Sequence, residues 1–476
     1  MNFVGRKREL KELSGILDVV RRGGRADRGV AVMLRGRRRV GKSRLVSEFV
    51  EHAGLPHVYF QAARGAPSTR ELALFAEAIS TSSLPGAAVA EGNQPASLTA
   101  ALNLLAAALP SDVPSIAVID EVPWLLESIE GGAGELQRVW DKSLAAKPVL
   151  VLLLGSDLAM MEQLTRSDQP FYGRATEMVL DALTPRDVAQ MTGLGAFDAI
   201  DAYLITGGLP LVAQEWERGM TRHDFLKTSF SRSTSALVVS GTRVLDSEFG
   251  EATLARQVLT AIGGKGERTF TGIQQSSGPE PLNATTLTTS LRLLSDKRVV
   301  AADEPLSIRR ASKDRRWRIS DPSLRFWLAF VDPALAEVDR GRPDLALARV
   351  AISFESWRGR AVEPVVRDAL QRLLPDAAWP NVSRVGGWWP RSNTPEIDLI
   401  GADGAPANKV SFAGTIKWRR TSRLTSSEVS ELAASAVSVP GVDIGTSLVA
   451  VCPAGASTRA RLAQLWTAHD LLSAWP

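Results

Sequence analysis

The chain has 476 residues, of which 45% are hydrophobic and 23% charged, with a formal net charge of +4 at pH 7. This composition is typical of globular proteins and excludes a disordered chain, and the length predicts about three domains. The sequence has no run of the roughly 18 to 20 apolar residues that span a bilayer, and its single cysteine excludes an internal disulfide. Since the N-terminus also has no stretch of signal-peptide type, we expect a cytoplasmic protein without a membrane partner.

The first informative segment runs from residue 29 to residue 50. The apolar run GVAVML predicts a buried parallel strand, GRRRVGKS follows it, and RLVSEFV then has helical spacing. In this arrangement backbone N–H groups surround a β-phosphate and the helix directs its positive end at the anion. Lys42 is expected to contact the β- and γ-phosphates of ATP, and the Ser43 hydroxyl to bind Mg²⁺. The predicted nucleotide-binding residues here are Gly36, Arg37, Arg38, Arg39, Val40, Gly41, Lys42, Ser43 and Arg44.

A second acidic strand is expected beside such a loop, and SIAVIDE at residues 115–121 fits it. Asp120 is expected to hold Mg²⁺ through water, and Glu121 to orient or deprotonate the attacking water. The alternative is that both carboxylates only cap the next helix. A protein that merely switches does not need the second acid, so Glu121 favours hydrolysis.

Two further residues are candidates for the catalytic site. The apolar strand at residues 149–154 ends in Gly155 and Ser156, where a polar sensor commonly contacts the γ-phosphate. Arg174, in the segment PFYGR, could neutralise charge in the transition state. It could equally be a structural or intersubunit arginine.

These motifs occur in a fixed order along the chain: FVGR with EL, RGRRRVGKSRL, IDEVPWL, GSDLAMM, PFYGR and GGLP. Together they resemble the archaeal-type ATPase family, in the STAND branch of P-loop NTPases related to AAA+ proteins. The resemblance implies an ATPase core at residues 1–180, with a parallel sheet between helices, and a helical lid at 181–240. It also implies that Val4, Gly5 and Arg6, together with the turn that ends at Pro210, flank the adenine.

Residues 241–335 have the pattern of a winged helix. Two helical segments, a Pro/Gly-rich break, the helix NATTLTTSLRLLSDKRVV and an arginine-rich hairpin follow one another. The helix Thr285–Leu294 would enter a major groove, and the wing would hold phosphates. Protein docking is the alternative role. The wing cations are Arg309, Arg310, Lys313, Arg315, Arg316 and Arg318, and Phe326, Trp327 and Phe330 are predicted core aromatics.

Residues 345–476 read as a helix followed by strands, with Asp398 on one strand and Lys417 on the next. This resembles the restriction-endonuclease-like fold, which commonly follows the winged helix in archaeal-type ATPases. Thr415 stands where that fold has a second carboxylate, and a neutral hydroxyl is a weak Mg²⁺ ligand, so we expect a degraded nuclease site. Glu363 or Glu396 could substitute in space; alternatively, Asp398 and Lys417 form a structural ion pair.

The predicted fold class is α/β: a P-loop NTPase sheet with a helical lid, a winged helix and an α/β restriction-endonuclease-like domain. We expect an ATPase that uses ATP and Mg²⁺ and whose nucleotide state controls the winged-helix and nuclease-like output arm. The alternatives are an ATP-switched nucleic-acid-binding regulator with little turnover and an ATP-gated, metal-dependent nuclease. Candidate partners are nucleic acid, through the basic wing and the C-terminal domain, and protein; an oligomer is compatible with the sequence.

Overall fold

The computed structural model describes residues 3–22, 29–249, 253–264, 266–277, 280–310, 314–457 and 461–475. Lys313 of the predicted wing lies outside these residues. The chain divides into two compact units, Met1–Ala182 and Leu183–Pro476. None of the described helices is long and apolar enough to cross a membrane.

The first unit contains a five-stranded parallel sheet. Its strands are β1 (Val30–Arg35), β2 (His57–Gln61), β3 (Ser115–Asp120), β4 (Val149–Gly155) and β5 (Ala175–Val179). Their order across the sheet is β2-β3-β4-β1-β5, and each neighbouring pair is parallel. The carboxyl ends of β1, β3 and β4 therefore lie side by side at one edge, where parallel sheets bind ligands.

Both faces of this sheet are buried. Successive residues of β1 alternate between two hydrophobic clusters, with Met33 in one and Leu34 in the other. This explains why the strands read as continuous apolar runs. In the described part of this unit the sheet is flanked by the α-helices α1 (Lys7–Arg22), α2 (Lys42–Ala53), α3 (Ser68–Ser80), α4 (Leu98–Ala108), α5 (Val122–Glu127), α6 (Gly132–Val139) and α7 (Leu158–Leu164). The predicted α/β class with a P-loop-type parallel sheet is confirmed.

The second unit begins with five helices: α8 (Pro185–Thr192), α9 (Ala196–Thr206), α10 (Pro210–Gln214), α11 (Arg222–Phe230) and α12 (Ala236–Phe249). They occupy the segment in which a helical lid was predicted. Their buried side chains join one large core that continues through the rest of the unit.

The next elements are α13 (Thr253–Ile262), β6 (Arg268–Thr269), α14 (Phe270–Ser276), α15 (Ala284–Asp296), β7 (Val300–Asp303) and β8 (Arg316–Ile319). The three strands form a small antiparallel sheet in the order β6-β8-β7. This order of elements suits a winged helix, and that interpretation stays a prediction. Phe326, Trp327 and Phe330 are buried as predicted.

The C-terminal part consists of α16 (Pro322–Phe326), α17 (Leu335–Asp339), the long helix α18 (Pro343–Leu373), and a second five-stranded sheet. Its strands are β9 (Arg384–Trp388), β10 (Ile397–Ala402), β11 (Val410–Ile416), β12 (Ser447–Val451) and β13 (Gln464–Trp466), with helices α19 (Ser426–Ala436) and α20 (Ala468–Leu472). The strand order is β13-β12-β11-β10-β9. Pairing is antiparallel from β9 to β11 and parallel from β11 to β13, so this sheet is mixed.

Candidate functional site

The loop between β1 and α2 has the backbone of an anion-binding loop. Arg39 and Gly41 both have positive φ, of 70° and 92°, and Gly41 directly precedes the first turn of α2. A Cβ atom at Gly36 would lie 2.4 Å from the carbonyl oxygen of Leu180, so only glycine fits there. Such a turn, directly before a helix, is typical of loops whose backbone N–H groups bind a phosphate.

The predicted cation and metal ligands meet at this loop. Lys42 is buried, and its Nζ donates to the carbonyl oxygens of Gly36 at 2.6 Å and Arg37 at 3.2 Å. The Ser43 hydroxyl donates to Asp120 Oδ2 at 2.7 Å. Sequence placed Ser43 and Asp120 77 residues apart, and the parallel sheet brings their oxygens into contact.

Tyr59 is a residue of this site that the sequence analysis missed. It lies on β2, beside β3, and its hydroxyl donates to Asp120 Oδ2 at 2.7 Å. Burial and the neighbouring Asp120 carboxylate raise the pKa of Tyr59 well above its usual value, so the phenol stays a donor. Tyr59 thus fixes the same carboxylate oxygen that accepts from Ser43. Only the adjacency of β2 and β3 reveals this, because no motif surrounds Tyr59.

Glu121 and Ser156 lie next to each other at the ends of β3 and β4. Glu121 has a φ of 56°, an unusual value for a side chain of this size, and its Oε2 accepts from the Ser156 backbone N–H at 3.2 Å. The backbone N–H of Glu121 itself donates to Asp120 Oδ1 at 2.9 Å. The Ser156 hydroxyl is buried and has no hydrogen-bond partner among the described residues. A free buried hydroxyl is available to a polar ligand.

Arg6 donates hydrogen bonds to the backbone of the phosphate loop. It is buried, and its Nη2 donates to the carbonyl oxygens of Val40 at 2.8 Å and Asp181 at 2.7 Å. Gly5 and Arg6 both have positive φ, which turns the chain at this point; Val4 precedes them and is half-buried. In this structure Arg6 therefore ties the phosphate loop to the segment after β5, and the adenine role of Val4, Gly5 and Arg6 stays a prediction.

Arg174 is held by several hydrogen bonds to its own neighbourhood. Its Nε and Nη2 both donate to the Asp141 carboxylate, each at 2.8 Å, and Nη1 donates to the carbonyls of Pro170 and Tyr172. The hydrogen bond to Asp141 raises the pKa of Arg174, which keeps the guanidinium charged. The geometry favours the structural interpretation of Arg174 in the present conformation, and its catalytic role stays a prediction.

The remaining residues predicted for nucleotide contact differ in their burial and in their neighbours. Arg37, Arg38 and Arg39 are half-buried, and Arg44 pairs with Glu48 on the exposed side of α2.

Pro210 begins α10 in the second unit. The two glycines before it have positive φ, and a Cβ at Gly208 would lie 2.0 Å from the carbonyl oxygen of Leu183. Close backbone packing alone accounts for that glycine.

The predicted nuclease site has a different character. The Asp398 Oδ2 atom accepts from the Thr415 hydroxyl at 2.9 Å and from the Ile416 backbone N–H at 2.8 Å. Lys417 follows β11 directly, but no ion pair joins it to Asp398 in the part of the chain that the structure describes. In this structure Asp398 is held by Thr415 and the backbone of Ile416, and the alternative of a structural Asp398–Lys417 pair stays a prediction.

Arginines neutralise the carboxylates that could have replaced the missing ligand. Glu363 is buried and pairs with Arg367 at 3.0 Å; burial raises the pKa of Glu363 to about 7 although Arg367 acts in the opposite direction, so near neutral pH Glu363 is a weaker anion than an ordinary carboxylate. Glu396 pairs with Arg316 at 2.7 Å and with Arg360 at 3.1 Å. Among the described residues no cluster of three or more His, Cys, Asp or Glu side chains could hold a metal ion by itself.

The two candidate sites thus differ in what they can bind. At the phosphate loop, one hydroxyl and one carboxylate converge, and such hard oxygen ligands suit Mg²⁺, which keeps several waters and takes others from a nucleotide's phosphates. The donor set of Ser43 and Asp120 therefore fits Mg²⁺. At the C-terminal site guanidinium groups already balance the carboxylates.

Comparison with known families gives two matches. Residues 2–154 match the AAA ATPase domain. Residues 327–431 match the family DUF234, described as archaea bacterial proteins of unknown function. An uncharacterized protein of Methanocaldococcus jannaschii is 24% identical over 421 residues, which is 88% of this chain and 88% of that protein.

Solved structures with a similar arrangement include two archaeal proteins. A Walker-type ATPase of Pyrococcus abyssi has 17% identity and a TM-score of 0.48, covering 68% of this chain and 96% of its own. The ORC2 protein of Aeropyrum pernix has 13% identity and a TM-score of 0.44, covering 73% of this chain and 97% of its own.

Proposed function

Since residues 2–154 form an AAA ATPase domain and a DUF234 region follows at 327–431, we propose that this chain binds and hydrolyses ATP with Mg²⁺. We further propose that the nucleotide state controls an output arm built by residues 241–476. The observation that carries the first proposal is the contact between Ser43 and Asp120 at 2.7 Å, directly after the loop that ends in Lys42.

The roles of the chain's own residues follow from their positions. Backbone N–H groups of residues 36–43 would bind the β-phosphate, and Lys42 would exchange the carbonyl of Gly36 for phosphate oxygens. Ser43 and Asp120 would hold Mg²⁺, which neutralises phosphate charge when bound. Tyr59 would orient the Asp120 carboxylate through its 2.7 Å hydrogen bond.

Glu121 would serve the attacking water. Its carboxylate is fixed by the Ser156 N–H, so its second oxygen is free to accept a proton or a hydrogen bond. The unpartnered Ser156 hydroxyl would contact the γ-phosphate. Arg174 would need to leave Asp141 before it could act in its own subunit or a neighbour's.

For the output arm, we propose a winged helix at residues 241–335 and a nuclease-like domain at 345–476 without nuclease activity. This is supported by the three arginines that balance Glu363 and Glu396 and by the two hydrogen bonds on Asp398 Oδ2. An added Mg²⁺ ion would have to displace these guanidinium groups. Such an arm would bind rather than cut.

Steady-state ATP turnover of purified wild type, Glu121→Gln and Glu130→Gln tests the proposal. Glu130 is exposed and lies outside the site, so its substitution serves as the matched control. We expect Glu121→Gln to lose about 10²- to 10⁴-fold in turnover, the usual contribution of a general base, and Glu130→Gln to match wild type. If wild type hydrolyses only at the background rate, the alternative of an ATP-switched regulator with little turnover replaces this proposal.

A further inference from the structure

A cavity of about 1,090 Å³ lies within the second unit, between the small antiparallel sheet and the C-terminal domain. One wall is formed by α15 and the β7–β8 hairpin, and the other by α18 and β9. Neither the phosphate loop nor the degraded nuclease residues Asp398 and Lys417 line it. Arg367, which pairs with Glu363, lies at the boundary between this cavity and the C-terminal site.

The α15 wall presents a stripe of the helix that was predicted to enter a major groove. Thr288, Arg292 and Ser295 line the cavity, and their spacing of four and three residues places them on one helical face. Thr289, one residue further round the helix, is exposed but does not line the cavity. The predicted recognition surface of α15 is thus divided into a stripe inside the cavity and a stripe outside it.

The opposite wall restricts what can reach the inner stripe. A helix with its side chains is about 10 to 12 Å across and fills a major groove about 12 Å wide, so the duplex must surround the helix on both sides. Here Arg384, Gly386 and Gly387 of β9 and Gln371 of α18 line the same cavity as the inner stripe. A duplex around this stripe would meet these residues, whereas a cavity of about 1,090 Å³ has room for a few nucleotides of one extended strand.

The residues that line the cavity include more arginines than carboxylates, and the arginines lie on both walls. Each lining carboxylate has its own arginine: Asp303 with Arg318 at 2.6 Å, Asp368 with Arg372 at 2.9 Å, and Glu304 with Arg315. Two further arginines line the cavity, one in a long ion pair with Asp296 and one without an ion pair among the described residues. These are Arg292, with 84% of its side chain exposed and its nearest carboxylate 4.0 Å away, and Arg384, which has no ion pair within the described ranges.

Aromatic surface lies between the two charged walls. Trp317 on β8 and Phe270 at the start of α14 line the cavity and are not fully buried. The Arg315 guanidinium lies over the Trp317 ring, 5.8 Å from its centroid. Partly exposed aromatic rings beside arginines are the combination that binds single-stranded nucleic acids, because every base has a face that stacks while the backbone follows the cations. An acidic peptide would use the arginines but not the rings.

We propose that this cavity binds single-stranded nucleic acid, with phosphates between Arg292 and Arg384 and bases stacked on Trp317. The proposal goes beyond ATP hydrolysis and does not depend on it. It also gives the predicted helix Thr285–Leu294 a role other than reading a major groove, since only its inner stripe contacts the strand.

Fluorescence anisotropy with the full-length protein tests the proposal. The probes are a labelled 12-nucleotide single strand, as DNA and as RNA, the matching duplex, and a poly-glutamate competitor. We expect one of the single strands to bind at least tenfold more tightly than the duplex and to resist poly-glutamate. Arg384→Glu should weaken binding and reduce the slope of log K against log salt by about 0.7, the value for one lost phosphate contact on a single strand.

Trp317→Ala separates stacking from charge. It should weaken binding by about five- to hundredfold, as for one stacked base, and leave the salt slope unchanged. The controls are Thr289→Glu, on the outer stripe of α15, and Arg232→Glu, an exposed arginine outside the cavity; both should bind like wild type. Because Arg384 is exposed, its variant reports on binding even if Trp317→Ala fails to fold.

Four results would overturn the inference. The duplex could bind as tightly as the single strand, Thr289→Glu could weaken binding as much as Arg384→Glu, poly-glutamate could compete fully, or neither single strand could bind. The second result would return α15 to a role in a major groove. ATP turnover of the same Arg384→Glu protein is expected to equal that of wild type, so failure here is distinct from failure of the ATPase proposal.

Discussion

Replacing Tyr59 with phenylalanine removes one hydroxyl from the nucleotide site and keeps the ring. In wild type this hydroxyl donates to Asp120 Oδ2 at 2.7 Å, the oxygen that also accepts from Ser43. If the Ser43 hydroxyl bound Mg²⁺ instead, Tyr59 would still hold this oxygen through its hydrogen bond. The variant therefore tests whether the orientation of Asp120 matters for metal binding.

The magnitude follows from the type of bond. A hydrogen bond to a charged acceptor contributes about 1.5 to 3 kcal/mol, and the partly exposed phenol places Tyr59 at the lower end. About 1.4 kcal/mol corresponds to a factor of ten. Losing a partner that orients a metal ligand typically costs 10- to 100-fold in metal affinity or activity, in agreement with this value.

The assay is ATP turnover as a function of free Mg²⁺ at fixed ATP. We expect the half-saturating Mg²⁺ concentration of Tyr59→Phe to rise about tenfold, with turnover recovering partly at high Mg²⁺. Tyr172→Phe is the matched control, because Tyr172 is 54% exposed and its hydroxyl has no role in the site. An unchanged Mg²⁺ dependence in Tyr59→Phe, or an equal shift in Tyr172→Phe, would refute the reasoning.

Three further predictions concern the second unit and the core. Asp398→Ala should leave DNA incubated with Mg²⁺ or Mn²⁺ as intact as wild type leaves it; cutting by wild type that this change abolishes would restore the nuclease. Gly241→Ala should lower the free energy of unfolding in urea by about 3 kcal/mol, since its Cβ would lie 2.1 Å from a buried tryptophan ring, whereas Gly15→Ala, in open space, should be neutral or stabilising. Arg316→Ala should lower the same free energy by about 1.5 to 3 kcal/mol, because Glu267 loses this guanidinium and Glu396 is left with Arg360; an unchanged midpoint would contradict this.

Much of the first unit could be predicted from the sequence, because its candidate site residues lie at or just after the ends of strands. The strand β1, which precedes the loop that ends in Lys42, and the strand β3, which ends in Asp120, are both short and apolar. Parallel strands bring their carboxyl ends to one edge of the sheet. The pairing of Ser43 with Asp120 follows from that rule. Tyr59 could not be found, because it requires the strand order β2-β3 and a hydroxyl that reaches across it.

Less of the second unit could be predicted from the sequence, because ion pairs between residues far apart in the chain determine which of its carboxylates could bind a metal ion. The missing carboxylate at Thr415 was evident from spacing alone. The pairing of Glu396 with Arg316, 80 residues earlier, was not, because no local pattern predicts which arginine reaches a buried carboxylate. The same limit applies to Arg174, whose bidentate contact with Asp141 depends on the packing of a loop against a helix end.

The most direct test of the account is calorimetric titration of ATP with Mg²⁺ into purified wild type, Lys42→Ala and Lys11→Ala. Lys11 is exposed on α1 and serves as the matched control. We expect one bound nucleotide per chain for wild type and Lys11→Ala, and loss of binding for Lys42→Ala. Binding by Lys42→Ala with unchanged affinity, or no binding of ATP by wild type, would contradict it.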